Sequence, residues 1–402
     1  MPPRGERARL LIAATLVVGG WGANQFTPLS VAYRLDQGWS TLRVVAMFTT
    51  YLLGLVPALL LGCRAADRFG VRRVVRLALA LTAVASCVLA LSVVSEAAVY
   101  VSRLSTGVAT GVIVSAAAAW LGQSSQGSGT RYAVYATGTG FAFGPLAAGA
   151  MVEWLPHPLV LPPLVHAVLA LLLLRATANL PETAGRRAVR QHVSAERWSA
   201  VTHPRFVGVV LPASPAVFAA VTVSYVVLPP LVVDRIHDYA PLFSGLVAAV
   251  TLTVGLLVQP AAARIDRPGS ARATLIAMAT VVIGLLVGSV AVDRASPVAV
   301  VAAAVVLGAG YGLTLESGLA EIGRLASPSA LPTAAALFQG VAHSGFLAPL
   351  VLAISARSAS YQEMLVVLAL VGLVFLTVAA VYSRKHGHPE PSSGERLTSW
   401  DE

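Results

Sequence analysis

The residues that could do chemistry are few and sit where such residues are costly. Arg103 stands inside the apolar run 97–121. His343 stands inside 333–356 with Gln339 one helical turn before it, and Glu316 lies near the end of 297–320. An arginine keeps its charge, so within an apolar helix it must face protein or water and be paired there, or snorkel to the surface. Histidine exchanges a proton near neutral pH, and on a helix Gln339 and His343 share one face. These types suit the carriage of a proton. The competing assignments are a histidine satisfied by a backbone carbonyl and an interfacial carboxylate at 316. Asn24 and Gln25 are adjacent in the run 10–31, so they point different ways, and at least one is expected in a polar cavity. Tyr51, Tyr225 and Tyr311 could line a site for an organic molecule, or simply pack between helices.

Bond-breaking chemistry finds no support. There is no glycine-rich phosphate loop ending in Lys-Ser/Thr, so built-in ATP hydrolysis is not expected. No His-Glu-x-x-His pair, no clustered Cys or His ligands and no Gly-x-Ser-x-Gly elbow is present. The chain is therefore not expected to be an enzyme or to hold a metal or cofactor. Energy for any work it does must come from an ion gradient or from a substrate's own gradient.

The elements that position these residues follow from composition. Hydrophobic residues make up 56% and charged residues 11% of 402 residues. A soluble domain usually carries about 25% charged residues. A chain this poor in charge must face lipid. Apolar runs long enough to cross a bilayer as helices recur near 10–31, 42–62, 74–94, 97–121, 132–154, 159–178, 206–232, 241–262, 273–292, 297–320, 333–356 and 363–383. Ten-residue alternating strands are absent, which argues against a β-barrel. The fold class is an all-α membrane protein of twelve transmembrane helices. The arginine-rich segment 179–205, with Arg186, Arg187, Arg190, Arg197 and Arg205, divides it. The expected domains are an N-terminal six-helix bundle (1–180), a linker (181–204), a C-terminal six-helix bundle (205–385) and a tail (386–402).

The net charge of +10 could suggest nucleic acid, but its placement does not. With an even number of spans, most of the 28 basic residues fall on the side of the termini. Arg34, Arg43, Arg235, Arg294 and Arg357 alone fall on the other. That bias places both termini in the cytoplasm, facing anionic lipid rather than DNA, with the inner membrane as the expected location. The first apolar run is longer than a signal-peptide core and reads as a span. Cys63 and Cys87 are too few for a disulfide framework and are expected to be reduced.

An internal repeat then appears. The segment 62–73 carries Gly62, Asp67, Arg68, Gly70, Arg72 and Arg73, and a weaker copy at 261–272 carries Asp266 and Arg267. Pro28 near the end of the first run is echoed by Pro229 and Pro230. Gly140, Gly144 and Pro145 in the fifth run are echoed by Ser344 and Pro349 in the eleventh. Three echoes in the same order argue for two related six-span halves, which place a substrate site between them near the bilayer midplane. Gly62 permits close helix approach and Gly70 a tight return. Arg68, Arg72 and Arg73 can snorkel into headgroups. Gly140, Gly144 and Gly149 offer a smooth helix face, and Pro145 breaks the helix.

Segment 62–73 resembles the loop 2–3 signature of the major facilitator superfamily of transporters. Segment 103–111, with Arg103, Gly107 and Gly111, is similar to that family's arginine motif, although Thr106 stands where glutamine is usual. Segment 140–149 looks like the family's exporter-associated motif, with Ala148 in place of one closing glycine. The resemblance implies that Asp67 latches one side of the two halves, meeting the start of the eleventh span near Pro332 and Thr333, with Asp266 secondary. It implies a role for Arg103 in proton coupling or in a closed-state network. The expected function is proton-coupled export, by antiport and alternating access, of a small organic molecule or drug from a bacterium. Import or uniport of a small metabolite and a non-transporting membrane sensor are the alternatives. The expected partners are the substrate, membrane lipid and protons, with no nucleic acid, and the chain is expected to be a monomer.

Overall fold

The computed structural model describes residues 4–124, 129–182, 198–267, 270–327 and 329–385. Arg186, Arg187, Arg190 and Arg197 of the linker, and the whole of 386–402, lie outside them. Among the described residues there is no strand. Twelve helical rods follow in chain order. Helix α1 runs Arg4–Asn24 and, past Gln25, Phe26–Asp36. Then come α2 Thr41–Phe69, α3 Val71–Ala90, α4 Glu96–Gln123, α5 Gly129–Trp154 and α6 Leu161–Ala176. The second half holds α7 Phe206–Arg235, α8 Ala240–Ile265, α9 Arg272–Asp293, α10 Pro297–Leu325, α11 Leu331–Ser355 and α12 Tyr361–Lys385. Ten of these are long and apolar enough to cross a membrane, and α6 is a shorter apolar helix. At 29 residues, α2 and α10 are about 43 Å long and project beyond a bilayer core of about 30 Å.

Local chemistry sets the ends. Ser40, Ser95 and Ser296 cap α2, α4 and α10, each accepting a bond from a backbone N–H three residues on. Gly70, at φ +90, ends α2 and starts α3 in a conformation that disfavours a side chain. Prolines set the breaks. Pro28 has no N–H to give the Asn24 carbonyl, and α1 turns at Gln25.

The first six helices pack on one another, and so do the last six. Equivalent glycines close the tightest crossings. A methyl added at Gly107 would collide with the Tyr51 carbonyl, and one at Gly111 would lie 2.7 Å from the Leu55 carbonyl, so α4 rides directly on α2. Gly308 and Gly312 set α10 on α8 in the same way, against Thr251 and Gly255. Small residues four apart allow such backbone contact in lipid, where association relies on close packing. The repeat thus reaches further than the loops and prolines.

The short helix Ser199–Thr202 corrects the expected linker. Its Ala200 and Val201 are buried with Phe206, Ile322, Leu325 and Phe338. The C-terminal core therefore begins before residue 205. The halves meet mainly through α5 against α8, with α2 against α11 and the second part of α1 against α8. Toward the end away from the termini the fit is tight. A methyl at Gly149 would lie 2.9 Å from the Pro241 carbonyl, and Gly245 faces the Pro145 backbone directly.

Candidate functional site: a cavity between the two halves

A cavity of about 420 Å³ lies between the bundles. Phe48, Arg103, Tyr225 and Phe346 form its closed floor, at the end away from the termini. Across the halves, Phe48 meets Tyr225 edge-on at 6.5 Å and stacks on Phe346 at 6.1 Å. The cavity shares Tyr311, Leu319 and Gln339 with a recess of about 690 Å³ that reaches Gln123, Gln259 and Glu316. It shares Leu60 and Ala336 with another of about 800 Å³ bordered by Arg64, Pro332 and Thr333. Those residues lie at helix ends on the side of the termini, so the structure is open there and closed opposite.

Arg103 is 1% exposed and is held by aromatic rings. Its guanidinium carbon lies 4.6 Å from the Phe26 ring centre and 4.7 Å from that of Tyr51. Nη1 donates to the Ala23 carbonyl at 3.1 Å. Nε and Nη2 have no hydrogen-bond partner. The snorkelling alternative is thereby set aside, because the side chain stays inside the protein.

His343 lies in the same wall, ringed by Phe218 and Phe346 at 4.5 and 5.8 Å. Its Nδ1 faces the Gln339 carbonyl at 2.6 Å. A carbonyl only accepts, so Nδ1 carries the proton, and Nε2 is left to exchange one. Tyr51, Tyr225, Tyr311 and Gln339 also line the cavity, whereas Glu316 borders only the recess nearer the termini.

The adjacent pair divides. Asn24 lines the cavity and donates to the Phe141 carbonyl at 3.1 Å. That carbonyl is the one Pro145 leaves without its helical N–H. In the other half the Gly345 carbonyl, which Pro349 cannot serve, accepts from the Ala348 N–H in a tighter turn, and the Thr222 hydroxyl of α7, which donates to the Phe218 carbonyl at 2.8 Å, lies 3.2 Å from it. The Pro145 kink is thus satisfied by the first helix of its half and the Pro349 kink within its own helix, as a break in lipid requires. Gly140 and Gly144 face Val17 and Trp21 of α1, while Gly149 faces α8.

Gln25 corrects the expectation of a cavity role. It is 1% exposed and turns into the N-terminal bundle. Its Nε2 donates to Ser86 Oγ at 3.1 Å, Ser86 pairs with His166 Nδ1 at 2.7 Å, and His166 Nε2 meets the Val18 carbonyl at 2.9 Å. Because that carbonyl accepts, Nε2 donates and the Ser86 hydroxyl donates to Nδ1. Sequence reasoning passed over His166. The signal was a lone histidine in an apolar run, which needs partners inside the protein.

The loop residues separate as well. Asp67 is exposed, beside a small crevice with Cys63, Val71 and Gln123, while Pro332 and Thr333 border a different recess and share no ion pair or hydrogen bond with it. Across that gap Arg64 of α2 faces them instead. Gly62 sits against Ser115 and Val112 of α4. Arg68 lies over the Phe69 ring and Arg73 is exposed. Arg72 does not snorkel freely: it donates to the Leu180 carbonyl at 2.9 Å and pairs with Glu182 at 3.5 Å, tying α3 to the segment that follows α6. Arg267 is exposed, and Asp266 pairs with Arg324 inside its own half. Glu321 and Arg324 have the spacing of an ordinary surface pair, but Glu321 is fully buried. It bonds Arg205 Nε, also fully buried, and Arg324 Nη2 at 2.6 Å. Arg205 Nη1 reaches the Ser383 carbonyl of α12 at 3.3 Å. No group of three or more metal-ligating side chains occurs among the described residues.

Two repeated six-helix bundles enclosing a cavity open at one end form the architecture of a secondary membrane transporter. The sequence profile of the Major Facilitator Superfamily matches residues 10–289, and the chain belongs to that superfamily. No curated protein matches it in sequence. Solved structures resemble it in fold. One is the nucleoside transporter NupG, with 14% identity, a TM-score of 0.68, and 96% of this chain and 98% of that one covered. Another is a POT family transporter in complex with 5-aminolevulinic acid, with 12% identity, a TM-score of 0.74, and 95% and 96% covered. A third is a bacterial homologue of the human lysosomal transporter Spinster in an inward-facing, unoccupied conformation, with 13% identity, a TM-score of 0.67, and 95% and 97% covered.

Proposed function

We propose that the protein is a proton-coupled exporter of a small organic molecule, with its termini in the cytoplasm of a bacterial cell. The carrying observation is the cavity between the halves, open on the arginine-rich side and floored by Arg103 and aromatic rings. The positive-inside bias makes that open side the cytoplasmic one. Loading would then occur from within the cell. His343 Nε2 supplies an imidazole nitrogen that can take up and release a proton in the same wall. Outward opening would separate the tight α5–α8 contact at Gly149 and Gly245 and bring α2 toward α11. In that motion Asp67 acts as the latch, meeting the α11 start across the gap now held open, and Asp266, already paired with Arg324, plays no part in the closure.

The test is flux in proteoliposomes of known orientation, with and without an imposed pH gradient. Export accelerated by protons entering from the opposite side supports the reading. Equal flux with and without the gradient removes the coupling. Substrate accumulation toward the arginine-rich side reverses the direction and makes the protein an importer.

A further inference from the structure

We propose that the cavity takes an amphipathic organic monoanion, with its acid group on the Arg103 guanidinium and its apolar body against Phe48, Tyr225 and Phe346. This inference rests on the transport reading of the cavity and names the substrate class. Its first support is the contrast between the two fully buried arginines, Arg103 and Arg205. Arg205 meets the carboxylate of Glu321. Arg103 has one backbone carbonyl and three ring faces, and two of its nitrogens are buried without a hydrogen-bond partner.

A buried cation is costly to leave without an anion, and cation–π contacts offset only part of that cost. The cavity itself offers no anion: among the described residues no aspartate or glutamate lines it, and Glu316 borders only the recess nearer the termini. The site therefore carries one uncompensated positive charge at its floor. A guanidinium with free Nε and Nη2 presents two parallel donors, the geometry that takes a carboxylate side-on. Apart from Asn24, Gln339 and His343 the walls are aromatic and aliphatic, so the rest of the ligand is mainly apolar. The volume of about 420 Å³ suits a compact body of one or two rings. A cationic drug is disfavoured by the same charge.

The probes are 2-naphthoate, 2-naphthamide and 2-naphthylmethylamine, which share a body and differ in charge. Binding to the purified full chain in detergent is measured by calorimetry, for wild type, Arg103→Gln and Arg103→Lys. Naphthoate should bind wild type at least about tenfold more tightly than the amide, and the amine should bind weakest. Arg103→Gln should lose at least about thirtyfold for naphthoate, the loss expected when one member of a buried charge pair is removed, while the amide is little changed. Arg103→Lys should recover part of the preference. The inference is overturned if naphthoate binds no better than the amide, if it does not bind wild type at millimolar concentration, or if the preference survives Arg103→Gln. Should Arg103→Gln not fold, the wild-type ranking and the lysine variant still decide. Flux is read separately in proteoliposomes. Naphthoate that binds but is not carried refutes transport while leaving the anion site standing. A neutral or cationic substrate carried without inhibition by naphthoate refutes the anion site alone.

Discussion

Replacing Glu321 with glutamine removes one negative charge from a cluster in which Arg205 and Arg324 share that carboxylate. As a surface pair three residues apart on one helix, Glu321 and Arg324 would be worth about 0–1 kcal/mol. The structure puts Glu321 and Arg205 out of contact with solvent, and breaking a buried pair by removing one partner costs about 3–5 kcal/mol. Arg324 is 27% exposed, and Arg324→Gln leaves the fully buried Arg205–Glu321 pair in place, so it should cost less than Glu321→Gln. The double variant Arg205→Leu/Glu321→Leu removes both buried charges and should be more stable than Glu321→Gln alone, because a packed apolar pair replaces a broken ionic one. Equilibrium unfolding in mixed detergent micelles, at low and high salt, reads all three. The cost of Glu321→Gln should be nearly independent of salt, since buried pairs are little screened. A cost below about 1 kcal/mol, or one erased by salt, would falsify the buried cluster and return the pair to the surface.

Three further outcomes are expected. Gly107→Ala should destabilise the N-terminal bundle by about 1–3 kcal/mol, because the added methyl meets the α2 backbone, whereas Gly122→Ala, with nothing within 4 Å, should be neutral; equal melting temperatures would contradict the close α2–α4 crossing. Asp67→Asn should raise labelling of a cysteine placed at Ala336, in a background lacking Cys63 and Cys87, because the latch that closes this side is weakened; unchanged labelling removes the latch. His343→Ala should flatten the pH dependence of flux between about pH 5 and 8, since the other titratable groups lining the central cavity are Arg103 and the tyrosines, which do not titrate there; an unaltered profile assigns coupling elsewhere, with Glu316 next.

Hydropathy and repetition determined a good deal by themselves. The apolar runs set the membrane class and the helices, because a spanning segment must satisfy its own backbone and only its length and apolarity matter. The prolines and glycines set where helices break and cross, and their recurrence exposed the two halves. The polar residues buried in the spans were also visible, since each is costly there. What remained hidden was the direction each side chain faces. In a water-soluble helix a polar stripe marks the outside, but a lipid-facing helix is apolar all round, so the pattern cannot tell the cavity side from the lipid side. Only packing decided that Asn24 reaches the carbonyl freed by Pro145 while Gln25 turns toward Ser86 and His166. Only packing buried Glu321 against Arg205, a partner far away in the chain, and left Arg103 among rings without an acid. The separation of Asp67 from the start of α11 is likewise a property of the state in which the two halves stand, which depends on contacts between bundles and not on any local pattern.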